Sequence, residues 1–427
     1  MGLRATEVFT PGAFPLHTYV ERAQEGFETA LSDALSTPGQ VVSLSGPSKS
    51  GKTVLVEKVV GQDQLIPISG VSIGHPDDVW RKVLDWMDIP TSATATKTYG
   101  IASEAELSGK GSAGVPFVAK GEAGGRVQLG GSFEKAAEEV RDRRGLPQVV
   151  GEIANSDFVV LVDDFHYMPR DVQSEVAKSL KEAVRLNIKI VAAAVTHRGD
   201  DLLRANNELR GRVRAVDLKY WDSEELTAIA KTGFGVLNAD LDPTIIQQFV
   251  TESAGSPQLM QLLCLNTCFV MNLRETYEGM FPAVLNVGSV ELQRILEQTS
   301  SNTDFRSLVD VLDAGPRTRG TERKTYKFRD GMSGDVYSVV LRALAMNPPR
   351  LSFTYDELLA RTVAVCEGES PVGSSVTGTC LHMSKLAVEK FPSERAVDWD
   401  ESKQVFDVPD PYFMFYLRWS GRLREQG

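Results

Sequence analysis

Short apolar runs recur along the first part of the chain and alternate with stretches of helical periodicity. The apolar runs occupy residues 41–45, 65–68, 158–162, 188–195 and 213–218. Between them, apolar side chains recur at helical spacing, most clearly in residues 19–34, 77–87 and 172–184. Strands that alternate with helices predict an α/β fold, in which a parallel sheet carries helices on both faces.

Residues 101–133 follow a different pattern, with a period of two. Odd positions carry small or apolar side chains, even positions carry most of the polar ones, and the chain reverses near Gly114-Val115-Pro116. The alternation predicts an amphipathic β-hairpin with arms of about a dozen residues, inserted into the α/β domain. We favour a hairpin that packs on its own domain or on a neighbouring copy. Arms of this length reach the roughly nine to eleven residues that cross a bilayer, but Gly and Ala on the apolar face disfavour membrane contact.

Beyond residue 220 the pattern becomes helical and then changes again. Residues 222–300 predict helices, and residues 315–331 form a polar stretch rich in Arg and Lys. The remaining residues predict three helices and a short hairpin, which is the order of a winged helix-turn-helix, followed by an aromatic helix. We therefore divide the chain into an α/β core with the hairpin (1–220), a helical lid (221–314), a basic linker (315–332) and a winged-helix domain (333–427).

The composition is that of a globular protein, with 42% hydrophobic residues among 427 and a formal net charge of −11. So acidic a chain excludes a protein that coats nucleic acid through its overall charge. None of the four cysteines forms a C-x-x-C pair, which favours buried free thiols. We see neither a signal peptide nor an apolar run long enough for a spanning helix, so we expect a cytoplasmic protein.

The strongest chemical signal is Gly46-Pro47-Ser48-Lys49-Ser50-Gly51-Lys52-Thr53, which joins the first apolar run to a helix. It has the spacing of a phosphate-binding loop, whose glycines let backbone amides converge on an anion. In this pattern Lys52 reaches the β- and γ-phosphates, and the Thr53 hydroxyl holds Mg²⁺. The helix that follows points its positive end at the same anion. The sequence therefore predicts a nucleotide site built from these eight residues.

A second chemical signal, Asp163-Asp164, follows the third apolar run. We expect this strand to lie next to the strand that precedes the loop, so that Asp163 reaches the Mg²⁺ held by Thr53. Asp164 would then orient or deprotonate the attacking water. The alternative for the two carboxylates is a solvated turn at the end of a strand.

Together these elements resemble the STAND class of signalling ATPases, which are close relatives of the AAA+ ATPases. The resemblance spans most of residues 15–420 and is carried by the loop, Asp163-Asp164, Thr196-His197-Arg198, Gly255-Ser256-Pro257 and the winged helix. It implies that ATP is the nucleotide, that Arg198 senses its γ-phosphate and that Pro257 touches its adenine. STAND proteins usually add an effector domain and a repeat-built sensor, which this sequence does not show, and the hairpin is not a standard part.

The related AAA+ ATPases place an arginine finger before the fifth strand, where this chain has Arg210, Arg212 and Arg214. The resemblance implies that one of these residues acts on the nucleotide of a neighbouring copy, and we favour Arg212. The alternative is a solvated basic turn.

Two functions fit these features. The favoured function is an ATP-binding, slowly hydrolysing switch that forms homo-oligomers or engages a protein partner in its ATP state. The resemblance implies a role in signalling, such as bacterial defence against phage. The alternative is a DNA-binding AAA+ ATPase of replication or transposition type. The third helix of the winged helix offers His382, Lys385 and Lys390 against Glu389, a thin basic face that makes DNA the less favoured partner.

Overall fold

The computed structural model of the chain describes residues 2–88, 94–95, 139–140, 145–195, 211–317, 320, 323–391 and 396–425. The hairpin predicted at 101–133 and the predicted sensor Arg198 lie outside these residues. Within the described part of the chain, no helix combines the length and the apolar character needed to cross a membrane.

A parallel sheet forms the centre of the first part of the chain. The strands in this part are β1 (Val41–Ser45), β2 (Leu65–Ser69), β3 (Thr94–Ala95), β4 (Glu139–Val140), β5 (Val159–Asp163), β6 (Lys189–Ala194) and β7 (Val213–Asp217). Five of them form one sheet in the order β2-β5-β6-β1-β7, while β3 and β4 pair with each other. All neighbours in the five-stranded sheet are parallel. The apolar runs form these strands because β-branched side chains fit a sheet that is buried on both faces.

Helices cover both faces of this sheet. They are α2 (Phe27–Ser36), α3 (Lys52–Val60), α4 (Asp78–Trp86), α5 (Leu146–Ile153) and α6 (Arg170–Arg185), whereas the short α1 (Ala5–Val8) packs among helices that follow the sheet. Val42 and Leu44 of β1 pack on the side of α2 and α3, whereas Val41 packs on the side of α4, α5 and α6. The predicted α/β fold with helices on both faces is therefore confirmed.

The helix predicted at residues 19–34 begins later than its pattern indicates. Gly26 is left-handed at φ 63°, and α2 starts at Phe27. Residues 19–22 instead have no regular secondary structure, and residues 23–26 form a turn.

The lid follows the sheet and is mainly helical. Its elements are α7 (Ser223–Val236), β8 (Ala239–Leu241), α8 (Pro243–Glu252), α9 (Pro257–Val270), β9 (Ala283–Leu285) and α10 (Ser289–Ser301). The two short strands pair in parallel, so this region is not purely helical as the sequence pattern predicts.

The N-terminal residues belong to the hydrophobic core of the lid. Ala5, Val8 and Phe9 are fully buried among the lid helices, and the ring of Phe9 lies 5.1 Å from that of Phe234. A domain boundary at residue 220 therefore does not describe this segment, which crosses from the lid to the sheet.

The C-terminal unit contains helices and two small sheets. Its elements are α11 (Arg306–Ala314), β10 (Tyr326–Lys327), β11 (Ser333–Gly334), α12 (Val336–Leu344), β12 (Ser352–Thr354), α13 (Tyr355–Val365), α14 (Gly373–Lys390), β13 (Asp398–Asp400), β14 (Val405–Asp407), α15 (Pro411–Trp419) and α16 (Arg422–Glu425). Strand β14 lies between β12 and β13, so Phe406 pairs with Phe353 on one side and Trp399 on the other. The last long helix, α15, places side chains in the cores of both the lid and the C-terminal unit.

Part of the predicted basic linker is folded onto the C-terminal unit. Tyr326 and Phe328 are buried there, and β10 pairs with β11. Arg323 forms a 2.6 Å ion pair with Asp335 and lies over the ring of Tyr337. These contacts make residues 323–328 part of a folded unit and not a solvated tether.

Candidate functional site

The turn between β1 and α3 has the shape of an anion cradle. A Cβ added to Gly46 would lie 2.8 Å from Cβ of Leu218, so only glycine allows this close approach. Gly51 is left-handed at φ 89° and caps α3, whose helical residues begin at Lys52. The amides at the start of α3 and the positive end of its dipole therefore face the turn, as an anion requires.

Lys52 is held back against its own loop. Its ammonium donates to the carbonyl oxygens of Gly46 at 3.1 Å and Pro47 at 2.8 Å. Burial lowers the pKa of Lys52, while the carboxylates of Asp163 and Asp164 act in the opposite direction. The side chain is thus a largely desolvated cation beside the loop, where an added phosphate would strengthen its charged form.

Thr53 and Asp163 meet directly, with the Thr53 hydroxyl donating to Oδ2 of Asp163 at 2.7 Å. The two strands involved are not neighbours, contrary to the expectation from sequence, because β6 lies between β1 and β5. Neighbouring strands are about 4.8 Å apart, so β1 and β5 are separated by roughly twice that distance. Thr53 closes the gap because it lies on α3 and not on the strand.

Asp164 follows in a left-handed conformation at φ 56°, and its amide donates to Oδ1 of Asp163 at 2.8 Å. Burial raises the pKa of Asp164, and the neighbouring Asp163 carboxylate raises it further. Lys52 and Lys49 oppose that shift. Asp164 therefore holds a proton more readily than an ordinary carboxyl group, and it lies beside the loop.

These groups open into one cavity of about 440 Å³. Its floor is formed by Ser48, Lys49, Ser50, Gly51, Lys52 and Thr53, with both carboxylates beside them. Pro257, the predicted adenine contact, lies in the wall of this cavity at the start of α9. The cavity thus gathers every predicted site residue of the described chain except Gly46 and Pro47, which anchor Lys52, and Arg212.

The N-terminal segment forms a wall that the sequence pattern did not predict. Phe14 and Tyr19 line the cavity with rings stacked at 5.9 Å, and Tyr19 donates to Glu28 at 2.6 Å. Gln261 of α9 donates to the Thr18 hydroxyl at 2.6 Å. No motif marks this wall, although the aromatic and proline content of residues 9–19 was a usable signal for a packed segment.

Arg22 binds the N-terminal segment to the junction, residues 219–225, which connects the sheet to the lid. Its buried side chain forms a 2.7 Å ion pair with the partly exposed Glu225 and donates to the carbonyl oxygens of Lys219 and Tyr220. Its guanidinium also lies 5.2 Å from the ring centre of Trp221. Trp221 in turn donates to the carbonyl oxygen of Ser50 at 2.9 Å, so the junction touches the loop itself.

Arg212 lies at the amino-terminal end of the sheet strands, whereas the loop lies at their carboxyl-terminal end. Its carbonyl oxygen accepts from the amide of Val41, at the start of β1, whereas the loop follows the end of that strand. Five strand residues span about 16 Å. Arg212 therefore does not contribute to the cavity of its own chain.

The four cysteines are buried and form no disulfide. Burial raises the pKa of the thiols of Cys268 and Cys380 to about 12. Among the described residues, no group of three or more His, Cys, Asp or Glu side chains is arranged to hold a metal. The remaining candidate for metal binding is the Thr53–Asp163 pair, which needs phosphate and water oxygens to complete its ligand set.

One further observation indicates that the turn between β1 and α3 can bind a phosphate. The hydroxyl oxygen of Ser50 is buried and has no hydrogen-bond partner among the described residues. A buried hydroxyl without a partner is costly, and a phosphate oxygen in the loop would satisfy it.

The parallel sheet, the loop after β1 and the carboxylates after β5 together define the P-loop NTPase fold. The sequence matches no protein-family model and no curated protein.

Several solved structures resemble the chain over nearly its whole length. Cdc6p from Pyrobaculum aerophilum is 14% identical with a TM-score of 0.42, and the match covers 100% of both chains. The Walker-type ATPase PABY2304 of Pyrococcus abyssi is 14% identical with a TM-score of 0.49, covering 96% of this chain and 97% of the other. The Aeropyrum pernix ORC2 protein is 11% identical with a TM-score of 0.49, covering 100% of this chain and 99% of the other. At these identities and scores, function must be argued from the site.

Proposed function

We propose that this protein binds ATP with Mg²⁺ in the cavity above the loop, hydrolyses it slowly and uses its nucleotide state as a switch. The observation that carries the proposal is the 2.7 Å contact between Thr53 and Asp163 beside the buried ammonium of Lys52. A hydroxyl, a carboxylate and a cation at a helix start are the groups that a magnesium-bound triphosphate needs.

Each residue of the site has a defined task in this proposal. The amides from Ser48 to Thr53 surround the β-phosphate, and Lys52 moves from its own loop carbonyls to the phosphate oxygens. Thr53 and Asp163 are the residues that would hold the metal. Bound Mg²⁺ supplies neutralising charge to the phosphates. Asp164 lies beside this site and accepts the proton of the attacking water, a task that its raised pKa supports.

The base of the nucleotide would occupy the other end of the cavity. Pro257 lines the same cavity as the stacked aromatic pair Phe14 and Tyr19. Flat aromatic and proline surfaces are suited to a purine face. We assign the adenine contact to these three residues.

The switch itself would involve the lid and the C-terminal unit. Residues of the lid contact the loop backbone, and α15 joins the lid core to the C-terminal core. The chain order α12, β12, α13, α14, β13 and β14, with β14 in the middle of the small sheet, supports a winged helix, and we propose that it packs over the nucleotide site. We extend the proposal to an AAA+ or STAND-like ATPase whose homo-oligomers or protein partner depend on ATP, in a signalling role. Arg198 would sense the γ-phosphate, and Arg212 would serve the neighbouring copy.

One observation supports the alternative function, a DNA-binding ATPase. Lys327 and Arg329 are exposed, and their side chains make no ion pair within the described chain. Arg323 and Lys324, by contrast, are already paired with Asp335 and Glu369. A phosphate contact in this segment would therefore fall on Lys327 and Arg329.

The nucleotide site is tested by replacing Lys52. Lys52→Ala should lose measurable ATP affinity in isothermal titration calorimetry, because the phosphates lose their buried cation. Lys178→Ala, which removes an exposed lysine paired with Glu175 on α6, should bind like the wild type. Retained ATP affinity in Lys52→Ala would contradict the assignment of the loop.

A further inference from the structure

The backbone of the phosphate loop accepts a hydrogen bond from the indole ring of Trp221. The indole Nε1 donates to the carbonyl oxygen of Ser50 at 2.9 Å. Trp221 also lines the nucleotide cavity, and it belongs to the junction between the sheet and the lid. A side chain of the junction therefore binds directly to the segment that is proposed to surround the phosphates.

The bond to Ser50 determines the direction of the next amide. The peptide between Ser50 and Gly51 is trans and planar, so its N–H points opposite to its carbonyl oxygen. The amide of Gly51 donates to no acceptor among the described residues, whereas the amide of Ser50 donates to the carbonyl oxygen of Pro47 at 3.4 Å. The Gly51 amide is thus available to a ligand, and Trp221 sets its direction.

The backbone alone does little to keep this peptide in one orientation. A rotation of the peptide plane changes the ψ angle of Ser50 and the φ angle of Gly51. Glycine adopts φ angles of either sign, and Gly51 is at φ 89°. A hydrogen bond from outside the loop therefore decides between the two orientations of the peptide.

Trp221 is itself held through both its ring and its backbone. The guanidinium of Arg22 lies 5.2 Å from the centre of the indole, and Arg22 forms a 2.7 Å ion pair with Glu225 of α7. The backbone amide of Trp221 donates to the carbonyl oxygen of Gly255, just before α9, at 3.2 Å. The N-terminal segment and the lid therefore hold the indole N–H in place against the loop.

We propose that Trp221 is a positioning residue for phosphate binding, whose indole N–H keeps the Ser50–Gly51 peptide turned so that the Gly51 amide donates to the phosphates. The inference rests on the proposed function and deepens it by naming how the lid acts on the loop. A movement of the lid that draws Trp221 away from Ser50 releases the peptide and weakens phosphate binding. By linkage, bound phosphate favours the lid position that makes this bond by the same factor.

The test replaces Trp221 by phenylalanine, which keeps an aromatic ring beside Arg22 and removes the N–H donor. Trp221→Phe should bind ATP with Mg²⁺ about two- to tenfold more weakly in calorimetry, the range that corresponds to one neutral hydrogen bond. Trp80→Phe is the matched control, because it also removes an indole donor, to Ser179, outside the nucleotide cavity. Its ATP affinity should equal that of the wild type.

A second ligand separates an effect on the phosphates from an effect on the base. Pyrophosphate with Mg²⁺ has no base and occupies only the loop end of the cavity. Trp221→Phe should therefore weaken pyrophosphate binding by the same factor as ATP binding. Incorporation of benzothienylalanine at position 221, which keeps the shape of the indole but has no N–H, should weaken both ligands in the same way and preserves the packing of the ring.

Two results would overturn the inference. One is an unchanged ATP affinity in Trp221→Phe and in the benzothienylalanine protein, and the other is a weaker ATP affinity with an unchanged pyrophosphate affinity. In both cases the wild type still binds ATP and Lys52→Ala does not, so the proposed function stands. A wild type that binds no ATP would instead overturn the proposed function.

Discussion

At the residue scale, the site depends on three groups that the chain brings together from two motifs. Thr53 and Asp163 are 110 positions apart, yet their oxygens lie 2.7 Å from each other. Lys52 lies beside them, held by the carbonyl oxygens of the loop. The proposed function therefore depends on individual side chains that motif spacing predicted and that the fold brings into contact.

Asp164 is the residue whose role is most directly testable. Asp164→Asn should lower the rate of ATP hydrolysis about a hundredfold, because a positioned general base contributes roughly that factor or more. ATP affinity should be unchanged or tighter, since a carboxylate near the phosphates is removed. Single-turnover hydrolysis and calorimetry measure the two effects separately.

Asp164→Glu is the matched control, because it keeps the carboxylate and only lengthens its stem. It should retain much of the wild-type rate. Hydrolysis by Asp164→Asn at the wild-type rate would remove Asp164 from the mechanism.

At the scale of elements, two segments link parts of the chain that sequence order keeps separate. The N-terminal segment lines the cavity and also enters the core of the lid. Helix α15 fills both the lid core and the C-terminal core. Each segment contributes side chains to the core of the lid, so the stability of the lid depends on residues from before the sheet and from the C-terminal unit.

The ion pair between Glu252 of α8 and Arg418 of α15 allows a stability test. Arg418 and Glu252 are 6% and 5% exposed and bond through two nitrogens of the guanidinium. Arg418→Met leaves the Glu252 carboxylate buried without its charge partner, which should cost about 3–5 kcal/mol of unfolding free energy. Equilibrium urea denaturation, followed by tryptophan fluorescence, measures the loss.

Arg422→Met provides the comparison. Arg422 pairs with Asp310 in a setting that is 28% and 41% exposed, so its removal should cost less than about 1 kcal/mol. Equal losses of unfolding free energy in the two variants would show that the buried ion pair stabilises the protein no more than the exposed one.

At the scale of the whole molecule, the lid lies between the phosphate loop and the C-terminal unit. It contacts the loop through Trp221 and Ser256, and it contacts α15 of the C-terminal unit through Glu252. Arg212, in contrast, lies at the amino-terminal end of the sheet strands, whereas the loop follows the carboxyl-terminal end of β1. A role for Arg212 in hydrolysis therefore requires a second copy of the chain.

Oligomerisation provides the corresponding prediction. ATP should shift the wild type to oligomers in mass photometry, and Arg212→Ala should form them while hydrolysing at least about a hundredfold more slowly. Mixing Arg212→Ala with Lys52→Ala should restore part of the activity, because one copy supplies the loop and the other the arginine. Arg185→Ala, on the remote end of α6, should behave like the wild type.

The same mass measurement with duplex DNA distinguishes the two functions. The switch predicts ATP-dependent oligomers that are indifferent to DNA. Assembly that needs DNA, weakens with salt and is lost on replacing Lys327 and Arg329 by glutamine would favour the alternative.

The sequence predicted the sheet and the loop more accurately than the surroundings of the site. All five sheet strands were apparent as apolar runs, and the loop was apparent from its glycines, Lys52 and Thr53. The helical periodicity of residues 19–34, however, extended past the true start of α2 at Phe27. The pattern could not show that residues 10–22 are held as a cavity wall by α9 and by Glu225.

By itself, the sequence determined the α/β class, the strand positions and the chemical identity of the loop, because these depend on neighbouring residues and their spacing. The tertiary structure decided that β6 separates β5 from β1, and that the N-terminal segment closes the cavity. These facts depend on contacts between residues a hundred or more positions apart, which the packing of the sheet, the lid and α15 brings about and local periodicity does not encode.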